Sequence, residues 1–384
     1  MKKILLLCTV FIILPICLSA KYIDERTYHR AEIKNIIVRS IKMKKNMPVK
    51  LFKTEVTLEI LEGKLKGQVK KATFGGQNGQ PADMNYKIGD TVFIGITKAS
   101  VADKHEYISI YDIDNSNSII LLIIITVLAI VFIGKLKGLA SLGALLITMM
   151  LLFFLLIPLT LKGYAPLPLA VIISIVSILI TLPIIAGLRL KTLGAILGAS
   201  GGIIFSSFLA IATSWIIHLS GIIKNDMLTV FYASNVKIDL KGLVLSGMII
   251  AALGAIMDVC ISIASATNEI FEANPKIEES QAFKSVLNIG TDILGSMVNT
   301  LILAYVGSSL SLILLIAMKL KPGMPFWMVL NYNPVLSEIV KSIIGSLGMF
   351  LSIPLTAFIT VKLYKNKFST EEKKSWHPKF WLYA

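Results

Sequence analysis

The stretch Ser118-Ile119-Ile120-Leu121-Leu122-Ile123-Ile124-Ile125-Thr126-Val127-Leu128-Ala129-Ile130-Val131-Phe132-Ile133-Gly134 decides the class of fold. It carries no charge, and Lys135 and Lys137 follow it at once. A run this long and this apolar matches the ~30 Å hydrocarbon core of a bilayer. Similar runs recur at 139–159, 166–187, 192–220, 241–266, 289–316 and 339–363. The expectation is an α-helical polytopic membrane bundle over 118–365, with seven spans, or eight if an N-terminal anchor is retained. Composition agrees. Charged residues are 16% and hydrophobic residues 55%, whereas soluble domains average about 25% charged.

Outside the bundle the chain changes character. Lys2 and Lys3 precede an apolar run at 4–18, so residues 1–20 read as a signal peptide or N-terminal anchor. Cys17 follows Ile16, which is too large for a lipoprotein cleavage site. Residues 21–117 are polar. Short β-branched runs at 56–61, 64–71, 91–96 and 107–111, split by Gly and Asp turns, predict a small β-barrel or sandwich. Residues 74–85 are rich in Gly and read as a loop. Residues 366–384 form a basic tail.

The net charge of +15 concentrates at the ends of the apolar runs. Lysines and arginines there orient and anchor spans, and no basic stripe with interleaved aromatics points to nucleic acid. Lys135, Lys137, Arg189, Lys191, Lys276, Lys284 and the tail lysines fall on one side. That bias predicts a β-domain outside the cell membrane and a C-terminus in the cytoplasm. Trp215 and Trp327 fall near the outer boundary, and Trp376 and Trp381 in the tail. The three cysteines, Cys8, Cys17 and Cys260, all lie in apolar segments, so the β-domain has no disulfide framework.

A carboxylate in hydrocarbon costs at least ~2.5–3.5 kcal/mol, so polar residues within spans mark candidate sites. In the fifth span Asp258, Ser262, Ser265 and Glu269 share one helical face. In the sixth, Asp292, Ser296 and Asn299 do the same. A loop of about 20 residues joins these spans, so they read as antiparallel neighbours. Asp258, Asp292 and Asn299, with Ser262 and Ser265, are therefore expected to form one buried ion- or substrate-binding site in the cytoplasmic half of the bundle. The plainer reading is that these groups hydrogen-bond helices together, or that Asp292 caps a helix start. Glu269 and Glu338 read as interfacial. In the fourth span Gly194, Gly198 and Gly202 form a small-xxx-small face for close helix packing, or mark a broken helix lining a site. Pro183 and Pro354 are expected to kink their spans.

Enzyme readings find little support. Gly198-Ala199-Ser200-Gly201 has the form of an intramembrane serine protease motif, but the membrane histidine, His218, sits ~27 Å away along the same helix. No His-Glu-x-x-His and no Gly-x-x-x-x-Gly-Lys-Ser/Thr occurs. Two membrane aspartates keep an aspartyl-type hydrolase as a remote alternative, although neither follows Gly-x-Gly. No cofactor and no metal site is expected.

Longer runs carry a resemblance. Ile238-Asp239-Leu240-Lys241-Gly242-Leu243, Gly254-Ala255-Ile256-Met257-Asp258-Val259 and Asn288-Ile289-Gly290-Thr291-Asp292-Ile293-Leu294-Gly295 are among them. So are the runs from Asn299 to Gly307, from Gly345 to Gly348 and from Ile353 to Ala357. With these the chain resembles the YibE/F family of bacterial membrane proteins over 118–365, most strongly from 238 onward. The resemblance implies a multi-pass inner-membrane protein with an external β-domain and a role in transport, without a substrate. The leading expectation is a secondary transporter or permease for a small solute or ion. The alternative is a membrane-anchored assembly or scaffold protein whose β-domain binds an extracytoplasmic protein.

Overall fold

The computed structural model describes residues 26–41, 51–77, 86–97, 107–219, 221, 238–319 and 325–375. The signal-like segment with Cys8 and Cys17, most of the expected 74–85 loop, and Trp376 and Trp381 lie outside the described residues. The chain divides into two compact units, residues 1–132 and 133–384.

The first unit holds five strands: β1 (Arg26–Ile41), β2 (Leu51–Ile60), β3 (Val69–Gln77), β4 (Thr91–Thr97) and β5 (Tyr107–Ile113). They form one antiparallel sheet in the order β3-β2-β1-β4-β5. Cα atoms of the edge strands β3 and β5 come within 8 Å of each other, so the sheet curls toward closure. This is the strand order of a five-stranded Greek-key barrel of the OB type. Alternation makes the core: Ala31 and Ile33 of β1, Val56, Leu58 and Ile60 of β2, and Val92, Ile94 and Ile96 of β4 all point inward.

Two expectations change here. The central strand β1 has no clear signature in the chain, because Arg30, Glu32 and Lys34 interleave with Ala31 and Ile33 and an irregularity between Ile33 and Asn35 interrupts the alternation. The expected strand at 64–71 begins only at Val69, after a 3₁₀ turn at Gly63–Leu65, and runs to Gln77 into the expected loop. Gly63 and Gly67 take positive φ there, a conformation that favours glycine and ends the ladder.

The unit closes onto the start of α1 (Ser116–Leu151). Asp114 accepts the Ser116 amide at 3.0 Å and also the Ser116 hydroxyl. Arg30 Nε reaches Asp114 Oδ2 at 3.1 Å. The Ser116 hydroxyl bond, then the Ser116 amide and the Arg30 guanidinium, hold the Asp114 carboxyl below the usual range against the opposing effect of partial burial. A carboxylate at a helix start also favours the helix dipole.

The second unit is helical: α1 continues past Lys135 and is followed by a π-helical turn (Leu152–Leu156), α2 (Ile157–Leu161), α3 (Pro166–Ala186), α4 (Leu190–Ile216) and α5 (Leu240–Ala273). Then come α6 (Glu279–Ser308), α7 (Leu310–Lys319), α8 (Phe326–Leu330) and α9 (Asn333–Ser375). Among the described residues six helices are long and apolar enough to cross a membrane. The first, Ser116–Leu161, contains both expected spans 118–134 and 139–159. Two helices meet there across a kink, with no loop between them. Lys135 alone leaves helical geometry, at φ 48 and ψ −130. The expected loop between the fifth and sixth spans shrinks to residues 274–278, because both helices continue beyond their apolar parts. Hydropathy reports bilayer thickness, whereas Asn268 and Glu272, bonded at 2.8 Å one turn apart, extend the helix into polar surroundings. The expected span 289–316 breaks at Ser309, between α6 and α7. Pro183 and Pro354 both lie inside helices.

The core of this unit is built by α3, α4, α5, α6 and α9. Its closest contact is between α4 and α9. A Cβ added to Gly194 would strike Thr360, one on Gly198 would strike Thr356, and one on Gly202 would lie 2.9 Å from Ser352 Cβ. One step further, a Cβ on Gly348 would strike Ser206. The partners descend by four as the glycines ascend by four, so the helices run antiparallel in one register.

Two outcomes check this fold. Gly198→Ala places a methyl 2.8 Å from Thr356 Cβ and 2.9 Å from its Cα, so the purified protein loses thermal stability in detergent. Gly143→Ala, with nothing within 4 Å, leaves the melting midpoint unchanged. In the first unit, the depressed Asp114 carboxyl contributes stability above the unfolded-state value, and that stability is lost as pH falls through the lower folded value. Hydrogen exchange at the Ser116 amide, corrected for intrinsic rate, therefore accelerates below about pH 4, and Asp114→Asn removes that dependence.

Candidate functional site

The sequence places its candidate residues on α5 and α6. Helical periodicity decides which of them the bundle encloses. On α5 the inward stripe runs Leu245, Ile249, Ala252, Ile256, Cys260, Ile263, Thr267, Phe271. The opposite stripe, Gly247, Ala251, Gly254 and Asp258, is exposed on the single chain. Ser262 and Ser265 are half-buried, and Glu269 is exposed. On α6 the packed face includes Ala282, Val286 and Gly290, with Ile293, Met297 and Leu301 against the core. Asp292, Ser296 and Asn299 lie on the opposite, exposed face.

The expectation places Asp258, Asp292 and Asn299 in one buried site; on the single chain all three are exposed. Their faces are the ones left over after the apolar stripes pack. Asp292 is also no helix cap. It lies well inside α6, which begins at Glu279. The Ser262 hydroxyl donates to the Asp258 carbonyl at 2.7 Å, and the Thr300 hydroxyl to the Ser296 carbonyl at 2.9 Å. Among the described residues no side-chain partner occurs for Asp258, Asp292 or Asn299. A carboxylate on the outer face of an apolar helix is costly against lipid. These faces need water, another helix or a bound solute.

Inside the bundle, among the described residues, the buried polar side chains are hydroxyls and the Cys260 thiol. Thr356 Oγ1 lies 2.6 Å from the Ser352 carbonyl and 3.2 Å from Cys260 Sγ. The Thr360 hydroxyl lies 2.7 Å from the Thr356 carbonyl and 3.1 Å from the Thr267 hydroxyl. Back-bonding of this kind satisfies a hydroxyl without water, and the cross-helix pairs tie α5 to α9. Reading α5 and α6 alone missed this seam. Its signal was present: Ser352, Thr356 and Thr360 repeat at the same four-residue step as Gly194, Gly198 and Gly202.

Each end of α9 has its own polar cluster. Near the end of α5, the Tyr364 hydroxyl and Asn268 Oδ1 are 2.6 Å apart, and Lys365 Nζ donates to the Ile277 carbonyl at 3.1 Å. Phe271 stacks between Tyr364 and Phe368, with centroids at 5.8 and 6.0 Å. These contacts seat the short α5–α6 linker. At the other end Glu338 pairs with Lys341 at 2.6 Å, and Lys341 Nζ sits 4.9 Å over the Tyr305 ring. Glu338 thus has a fixed countercharge, unlike Asp258 and Asp292.

Among the described residues no group of three or more His, Cys, Asp or Glu side chains is placed to hold a metal ion. The carboxylates of Asp258 and Asp292 have the chemistry that takes up cations and protons.

Burial predicts reactivity. With Cys8 and Cys17 replaced by Ser, a membrane-permeant maleimide leaves Cys260, 0% exposed, unmodified in the folded protein. It modifies Cys260 after denaturation in SDS. Mass spectrometry reads both states.

The model of the YibE/F-like protein family matches residues 122–366. No curated protein and no solved structure matches the chain.

Proposed function

The chain belongs to the YibE/F-like family, and from that premise we propose that it is a secondary transporter or permease of the bacterial inner membrane that moves a proton or a small cation. The observation that carries the reading is the pair of unneutralised carboxylates, Asp258 and Asp292, on outward faces of α5 and α6. Membrane spans retain such groups where a solute or proton passes, because the cost of keeping them is otherwise unrecovered. Asp258 serves as the ion- or proton-binding carboxylate. Asp292 is its counterpart on α6, and Asn299 adds a neutral ligand. Ser262 and Ser265 line the half-buried edge beside Asp258. The α4 glycines act in this scheme as packing residues, because they let α9 come close enough to hold α5 in place. In this reading the β-domain lies outside the cell membrane and the C-terminus in the cytoplasm, the orientation that the lysine bias favours.

The test is flux into proteoliposomes, driven by an imposed proton or cation gradient and read with an internal indicator dye. Asp258→Asn and Asp292→Asn each abolish or strongly reduce flux while keeping the wild-type melting midpoint. Wild-type flux in both variants removes the site assignment.

A second reading, an assembly protein that docks a partner through its β-domain, draws on the exposed aromatic pair Tyr28 and Tyr111. Their centroids are 5.5 Å apart over the Gly95 backbone. Under that reading Tyr28→Ala removes a co-purifying stoichiometric partner and flux stays absent in the wild type.

A further inference from the structure

We propose that a second copy of this chain packs against the outer face of α6, so that the Asp292–Asn299 site is completed across a twofold axis normal to the membrane. The inference rests on the transport reading only for what that site does. The pairing itself follows from the bilayer.

Among the six candidate spans α6 is the least hydrophobic. Of its most apolar window only 6% is enclosed by the rest of the chain, against 39% to 56% for α3, α4, α5 and the α9 span; the first span, 0% enclosed, is the most hydrophobic of the six and suits lipid. A helix that is poor in apolar residues and also poorly covered is in conflict with lipid. The outer face carries Asp292, Ser296, Asn299 and Thr300, all exposed. The Ser296 and Thr300 hydroxyls bond carbonyls of their own helix, but lipid tails offer the Asp292 carboxyl and the Asn299 amide no hydrogen bond, and an unmet polar group in hydrocarbon is unfavourable by several kcal/mol. Something other than lipid covers this face.

The chemistry of the face selects the occupant. Copies inserted in the same orientation and related by a twofold axis bring each residue to the depth of its own counterpart. Such an interface needs groups that pair with themselves. Asn299 is both donor and acceptor, and so are the hydroxyls of Ser296 and Thr300. Between Lys284 and Lys319 the helix carries no Lys or Arg that would repel its own image. Asp292 stands about two turns from Asn299, toward the start of α6, so the pairing centres on Asn299. Approach is unobstructed as well: a Cβ on Gly295 meets nothing within 4 Å. A small residue beside an amide is the pattern by which membrane helices associate through close packing and interhelical hydrogen bonds.

The experiment uses the full chain in native membranes, with Cys8 and Cys17 replaced by Ser and the buried Cys260 retained. Cysteines are introduced singly as Ser296→Cys or Asn299→Cys, and as controls at Ile204→Cys or Phe208→Cys. The two control positions are 56% and 66% exposed on the outer face of α4. Two differently tagged copies are co-expressed and oxidised with copper phenanthroline. The expected result is a disulfide-linked pair carrying both tags at positions 296 and 299, and none at 204 or 208. Independently, Asn299→Leu lowers recovery of the second tag about threefold, the scale of one interhelical hydrogen bond, and Asn299→Gln restores it. No linked pair at 296 or 299, in variants that insert and extract normally, overturns the proposal. So does equal linkage at the α4 positions. An internal disulfide in Leu128→Cys/Asn299→Cys would seat the chain's own first apolar limb there and also overturn it. None of these readouts involves flux, so they stand or fall separately from the transport test.

Discussion

The approach of α4 to α9 is the contact on which the rest of the bundle depends. In a bilayer no hydrophobic force drives helices together, since lipid is as apolar as leucine. Order has to come from dispersion at short range and from hydrogen bonds. Gly194, Gly198 and Gly202 remove the side chains that would hold the two helices apart. Thr356 and Thr360 then fill the space and reach across to α5 through Cys260 and Thr267. Because the glycine and hydroxyl residues recur at one four-residue step, a shift of α9 by one turn would keep small against small. A shift by one or two residues would drive side chains into backbone.

That seam also explains where the carboxylates lie. α5 has one stripe that meets α4 and α9, and its residues are Ile, Ala, Leu and Phe271, interrupted by Cys260 and Thr267. Hydroxyls and a thiol tolerate burial because each can bond a carbonyl one turn back. A carboxylate cannot satisfy itself in that way. Asp258 is two residues from Cys260, about 200° round the helix, so burying one exposes the other. α6 obeys the same rule, with Gly290 against Ile263 and Ile353 on one side and Asp292 on the other.

Much of this was legible in the chain. Long apolar runs report bilayer spans because every backbone polar group must be satisfied within the helix, so length and hydropathy suffice. The polar stripes of α5 and α6 and the glycine step of α4 were equally open to inspection. Other features had weaker signals. The strand β1 hides behind alternating charge, and the irregularity between Ile33 and Asn35 breaks its period. The break at Lys135 is a single non-helical residue between two runs that read as separate spans. The linker at 274–278 was overestimated because polar helix ends look like loop when apolarity is the criterion.

Period and polarity in one dimension establish that this is a membrane protein with a β-rich unit before its helices, and which residues share a face of each helix. They do not establish which face turns inward. That choice belongs to tertiary packing, where α4, α5 and α9 compete for the closest contacts. The stripe that packs best is enclosed, and the polar one is left outside. On the single chain Asp258 and Asp292 stand on the exposed faces of α5 and α6 for that reason. Their surroundings are set by whatever the fold leaves room to bring against them.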